Sequence, residues 1–274
     1  MTWWAVHARP PADDRERVAA WLVARTGHAV EERADGVVVA FAGEESDAVA
    51  LAREASASQG APATAQPADP VDWTVRWRDG IAQRRIGRLL LTPSWLEHDN
   101  TDPMVVVLDP ETAFGSGEHG STRAALALLE RLLVPEDLML DLGSGSGILS
   151  ICAARLGARR AIGIEVDADA NVIARANVDR NGVADQVTIL DGEAGVLAPL
   201  LGPAQVVASN ILREVNISLL PSIRRALARD GVVIFSGMEQ AERESFLPAM
   251  TDVGLRLEQE AIDDGWWAAA ARLT

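Results

Sequence analysis

From residue 104 onward, short apolar runs alternate with longer stretches in which apolar positions recur at helical spacing. The pattern predicts strands at 104–108, 138–142, 160–165, 186–190, 205–209 and 231–236, and helices at 122–133, 147–156, 169–180, 213–229 and 239–252. Such alternation implies an α/β fold, a mainly parallel sheet covered by helices on both faces. Two further strand-like runs, 255–260 and 266–273, flank Asp263-Asp264-Gly265. That turn is a hairpin signal and predicts that the last strand is antiparallel, at one edge of the sheet.

The first 59 residues read as a separate small α+β domain, extended at 3–8 and 36–41 and helical at 13–25 and 46–57. The stretch 60–70 is rich in proline and small residues, which places a linker at 60–100 and a second domain at 101–274. Within the linker Trp73 and Trp77 stand four apart, with Arg76, Arg78, Arg84, Arg85 and Arg88 nearby. They suit either a docking surface or aromatic packing of the linker onto the larger domain.

Composition narrows the classes. The 274 residues, 48% hydrophobic and 24% charged, suffice for one large and one small domain. No apolar run approaches the ~18 residues of a membrane span, and the start lacks a secretory pattern. A cytoplasmic monomer without a membrane partner is expected. Cys152 is the only cysteine and lies in a predicted helix, as core packing would place it; with four scattered histidines it predicts no metal site. A net charge of −15 disfavours a nucleic-acid surface and suits a basic protein partner as well as plain solubility.

The chemistry concentrates after the strand 138–142, in Asp141-Leu142-Gly143-Ser144-Gly145-Ser146-Gly147. Alternating glycines let main-chain N–H groups, those of Ser144 and Gly145 among them, approach a ligand at a helix start. A dinucleotide fingerprint would carry a third glycine where Ile148 stands, and Asp141 would repel a pyrophosphate. A cationic ligand without phosphate fits better, and S-adenosylmethionine, with its sulfonium and ammonium, matches that charge pattern. Glu165 ends the next strand eighteen residues beyond Gly147, at the spacing of a ribose-binding carboxylate. Asp167 either shares that role or caps the following helix. Asp191, before Gly192, either accepts from the adenine amino group or belongs to a surface turn.

Asn210, at the end of the strand 205–209, is placed to orient a nucleophile, since an amide oxygen and a main-chain carbonyl together bind amine hydrogens. The sequence has no tyrosine, which excludes an Asn-Pro-Pro-Tyr arrangement and favours an aliphatic amine acceptor. A lysine ammonium must lose a proton from a pKa of about 10.4. Glu118 and His119 are the nearby candidates for that step, in a glycine-rich segment, 113–122, suited to cover the ligand and to end on Ser121 as a helix N-cap.

With Ala113-Phe114-Gly115-Ser116-Gly117-Glu118-His119, the Asp141–Leu149 run, Gly163-Ile164-Glu165-Val166-Asp167 and Asn210-Ile211-Leu212 in this order, residues 100–274 resemble the ribosomal protein L11 methyltransferase family. The resemblance implies a seven-stranded class I methyltransferase domain after a small substrate-recognising one. It implies that Phe114, Gly117 and Thr122 lie near S-adenosylmethionine, that Asp141, Gly143 and Glu165 hold it, and that Asn210 faces the transferred methyl. The implied acceptor is the lysine or N-terminal amine of a large-subunit ribosomal protein. Other readings are an enzyme for another protein's lysine or a small amine and, from a different class, a Rossmann oxidoreductase or a non-catalytic binding module. Ser116, Gly120, Ser121 and Glu165 depart from the family's usual residues.

Overall fold

The computed structural model describes residues 4–11, 14–26, 30–33, 35–67, 82–99, 101–109 and 117–274. The chain forms two compact units, Met1–Gly80 and Ile81–Thr274. In the first, β1 (Trp4–Ala8), α1 (Arg15–Thr26), β2 (Glu31–Glu32), β3 (Val38–Ala42), α2 (Glu45–Ser58) and β4 (Ala63–Pro67) follow one another. The sheet order is β2-β3-β1-β4 with every pairing antiparallel. This is a split β-α-β arrangement, in which Val18, Leu22, Ala48 and Ala52 of the helices pack on Val6, Val38 and Ala40.

Strand β4 corrects the sequence reading, which put residues 63–67 in the linker. It pairs with β1 from Ala8↔Ala63 to Trp4↔Pro67. A proline is tolerated at an edge strand because no ladder bond is lost on the solvent side, and the small Ala63 and Ala65 still pack against the core. Trp73, Trp77, Arg76 and Arg78 lie outside the described residues.

The second unit begins with a three-stranded sheet of β5 (Arg84–Ile86), β6 (Leu89–Thr92) and β7 (Val105–Val107). Residues 84–92 thus belong to this unit rather than to a linker. The run 104–108 is a strand as expected, but of this small sheet. There follow α3 (Gly120–Leu132), β8 (Leu138–Leu142), α4 (Ile148–Arg155), β9 (Arg160–Glu165), α5 (Ala168–Arg180), β10 (Val187–Asp191), α6 (Ala194–Leu201) and β11 (Ala204–Asn210). The unit closes with α7 (Arg213–Ala226), β12 (Leu227–Glu239), α8 (Arg243–Asp252), β13 (Leu255–Asp263) and β14 (Trp266–Leu273). Asn181 ties β7 to the end of α5, accepting from the Val107 N–H at 2.9 Å and donating to its carbonyl at 2.7 Å.

The large sheet runs β10-β9-β8-β11-β12-β14-β13. Its first five strands are parallel, and β14 is antiparallel to both β12 and β13. The antiparallel strand is the last in the chain, as expected, but it is an inner strand; β13 takes the edge. The residues explain the exchange. Trp267 and Ala268–Ala271 of β14 are fully buried, as a strand covered on both faces requires, whereas β13 alternates and carries Arg256, Glu258 and Glu260, the charges that protect an edge. Helices α3, α4 and α5 cover one face, and α6, α7 and α8 the other. Among the described residues no helix is long and apolar enough to cross a membrane.

Candidate active site

Strands β9 and β11 leave β8 on opposite sides, so a crevice opens at the carboxyl rim, where open α/β sheets bind ligands. A cavity of about 470 Å3 lies there. Its walls come from the turn after β8, from Glu165 on β9, from the segment after β11, and from His119 and Ser121 at the start of α3. Gly143, Gly145 and Gly147 have φ of +73°, +51° and +80°, left-handed values that side chains with a Cβ avoid. A Cβ on Gly143 would stand 2.5 Å from Ile211 Cγ2, so this turn is pressed against the loop after β11.

Asp141 is buried beside that turn. Its Oδ2 accepts from the Ser150 N–H at 3.1 Å and from the Ser150 hydroxyl at 2.8 Å. Its Oδ1, also buried, has no partner among the described residues. Burial lifts the carboxyl to about 6 against the pull of Ser150, and the charge of Glu165 pushes the same way. Glu165 knits the rim together: Oε2 accepts from the Gly145 N–H at 3.0 Å, and Oε1 from those of Val166 at 2.8 Å and Asp167 at 3.1 Å. A carboxylate has about four acceptor positions, so Glu165 keeps capacity for a ligand hydroxyl. Ser144 and Gly145 line the same wall.

Across the cavity, Asn210 donates through Nδ2 to the Thr122 hydroxyl at 3.3 Å. Its Oδ1 is buried and has no partner among the described residues. His119 bonds Ser121 Oγ through Nδ1 at 2.7 Å, and its ring lies 4.2 Å from that of Trp266. Burial, then the charge of Arg123, hold this imidazole below its usual pKa, with Asp264 opposing.

Other expected site residues lie elsewhere. Asp167 caps α5, accepting from the Asp169 N–H at 2.9 Å. Asp191 accepts from Asn171 and Arg175, each at 2.6 Å. Neither lines the cavity. Gly117 packs on Leu91 outside it, Thr122 is buried behind Asn210, and Phe114 is outside the described residues. Glu118 is ion-paired with Arg84. Ser121 is not an N-cap, since α3 starts one residue earlier and His119 holds the cap position. Cys152 is buried in the core, as expected, and burial pushes its thiol up. Sequence reasoning missed Trp266, Leu212 and Val215, which also line the cavity.

The strand order, the inner antiparallel β14 and the glycine turn at the switch point define a class I methyltransferase fold. The family model for Ribosomal protein L11 methyltransferase (PrmA) matches residues 13–274; the chain belongs to that family. A ribosomal protein L11 methyltransferase of Pelotomaculum thermopropionicum is 36% identical over 204 residues, covering 74% of this chain and 66% of that relative. One of Chloroflexus aurantiacus is 35% identical over 225 residues, covering 73% and 69%. The match spans about two thirds of the relatives' length. Among solved structures, ribosomal protein L11 methylase from Lactobacillus delbrueckii subsp. bulgaricus superposes with a TM-score of 0.64 at 26% identity, covering 71% of this chain and all of that one.

Proposed function

We propose that this chain is an S-adenosylmethionine-dependent N-methyltransferase of the cytoplasm, acting as a monomer on lysine side chains, the N-terminal amine, or both, of a large-subunit ribosomal protein. The observation that carries this reading is the pair of buried, unpartnered acceptors, Asp141 Oδ1 and Asn210 Oδ1, in residues that line one cavity. A ligand with a cationic amino group satisfies the first, and an acceptor amine satisfies the second. The cavity residues therefore fit S-adenosylmethionine, with Asp141, the glycine turn and Glu165 to hold it. When bound, it supplies an electrophilic methyl group on a sulfonium.

The chain's own residues do the rest by placement. Asn210 Oδ1 accepts a hydrogen of the neutral amine and aims its lone pair, while Thr122 fixes the amide orientation. His119 lines the cavity and is the side chain placed there to relay the ammonium proton to solvent, since Glu118 is committed to Arg84. The unit Met1–Gly80 selects the protein acceptor, and the net charge of −15 favours a basic one. The relatives' names point to ribosomal protein L11 itself.

Intact-mass spectrometry tests the reading, using ribosomal proteins from cells lacking this enzyme after incubation with the purified chain and cofactor. Mass gains in methyl steps on one large-subunit protein are expected. No gain on any ribosomal protein, with cofactor binding confirmed separately, overturns the acceptor assignment. The 274 residues include 25 arginines and no lysine, so every methylated lysine in the mixture comes from the acceptor.

A further inference from the structure

The segment Asn210-Ile211-Leu212 bears the acceptor site of the proposed function and leads directly into α7. On the first turn of that helix stands Asn216, fully buried. Its Nδ2 donates to the carbonyl of Ile211 and to that of Ser236, both at 3.0 Å. Both amide hydrogens are thereby used to clamp the residue after β11 to the neighbouring parallel strand β12, where Asn210 is in register with Ser236. From Ser236 the connection continues to α3, because its hydroxyl donates to the Ser121 carbonyl at 2.8 Å. The next residue, Thr122, accepts from Asn210 Nδ2. A closed circuit of hydrogen bonds therefore surrounds Asn210, and Asn216 supplies two of its links.

The amide comes at a cost. Asn216 Oδ1 is buried with no partner among the described residues, and an unsatisfied buried acceptor destabilises the fold. A leucine, alike in branching but larger, would remove that orphan acceptor and would hold neither carbonyl. The contribution of Asn216 is thus its two donated bonds. On the opposite side the Ile211 backbone is confined by Gly237, where a Cβ would stand 2.3 Å from the Ile211 carbonyl oxygen.

We propose that Asn216 is a positioning residue for methyl transfer: by fixing the Ile211 carbonyl it holds Asn210 and this carbonyl as a pair of acceptors for the two hydrogens of the neutral amine. This rests on the function proposed above. A carbonyl free to rotate would leave the amine lone pair poorly aligned, and misalignment falls on the chemical step.

The test compares Asn216→Leu with the wild-type chain, on large-subunit ribosomal protein with S-adenosylmethionine. The expected result, at a temperature where both chains are fully folded, is a kcat lowered by about tenfold or more with cofactor Kd by calorimetry within about twofold. Wild-type kcat in the variant overturns the assignment; so does a joint fall of kcat, cofactor affinity and thermal midpoint, which is the signature of a merely structural residue. Should the leucine variant not fold, Asn216→Ser, which keeps one donor, decides by the same split between kcat and cofactor affinity. A wild-type chain that binds cofactor but methylates no ribosomal protein fails the underlying function instead, and the inference falls with it.

Discussion

Asp141 is a buried carboxylate in the cavity wall, and the role proposed for it makes cofactor binding depend on pH. The folded carboxyl sits near 6, above its reference value of 3.8. Its protonated form is favoured by folding, so the stability it contributes is full below about 4 and lost as pH rises through about 6. A cationic ligand needs the ionised form, so cofactor affinity should fall by up to about tenfold per pH unit below pH 6, and binding at pH 6 should release about half a proton per site. Calorimetry in buffers of different ionisation enthalpy measures that release; its absence would remove Asp141 from the site. Glu165→Ala should weaken the cofactor by roughly 1–3 kcal/mol, because charge-assisted hydrogen bonds are lost. The loss includes the Gly145 bond that steadies the turn, and unchanged affinity would refute the role. Asn210→Ala should lower kcat with cofactor affinity nearly retained; the opposite split would reassign the residue.

Among the elements, the parallel half of the large sheet was legible because short apolar runs mark its strands and apolar positions at helical spacing mark its helices, and because Asp141, Glu165 and Asn210 each lie at or next to the end of a strand. What was hidden depended on partners distant in sequence. Ala63-Thr64-Ala65-Gln66-Pro67 resembles a linker until β1 lies beside it. The helical pattern from Arg213 outran its end by three residues, since the start of β12 continues the same mixture of apolar and arginine positions. Trp266 reads as one more strand residue, and only the return of β14 beside β12 brings it to His119. The wall that β14 builds has its own test: Trp267, fully buried and edge-on to Phe246 with centroids 6.0 Å apart, should cost about 3–5 kcal/mol when replaced by alanine. A thermal melt unaffected by Trp267→Ala would show that this face of the sheet is not the core it is taken to be.

At the scale of the whole molecule, every residue lining the cavity belongs to Ile81–Thr274, and the proposed function gives acceptor choice to Met1–Gly80. Removing Met1–Gly80 should raise the KM for the ribosomal acceptor by about tenfold or more while leaving cofactor Kd unchanged. Parallel titrations of both ligands measure this, and an unchanged acceptor KM would mean that Ile81–Thr274 selects its substrate alone. The inner place of β14 has a consequence for how the enzyme comes into being. Chain order and sheet order disagree there: β13 is made first, yet has nothing to pair with until β14 has slotted in beside β12. A nascent or prematurely terminated chain that stops before Trp266 would present two raw sheet edges to its neighbours and lack one wall of its pocket. Such a chain is a sticky intermediate rather than a weak enzyme, so quality control in the cell faces an all-or-nothing product.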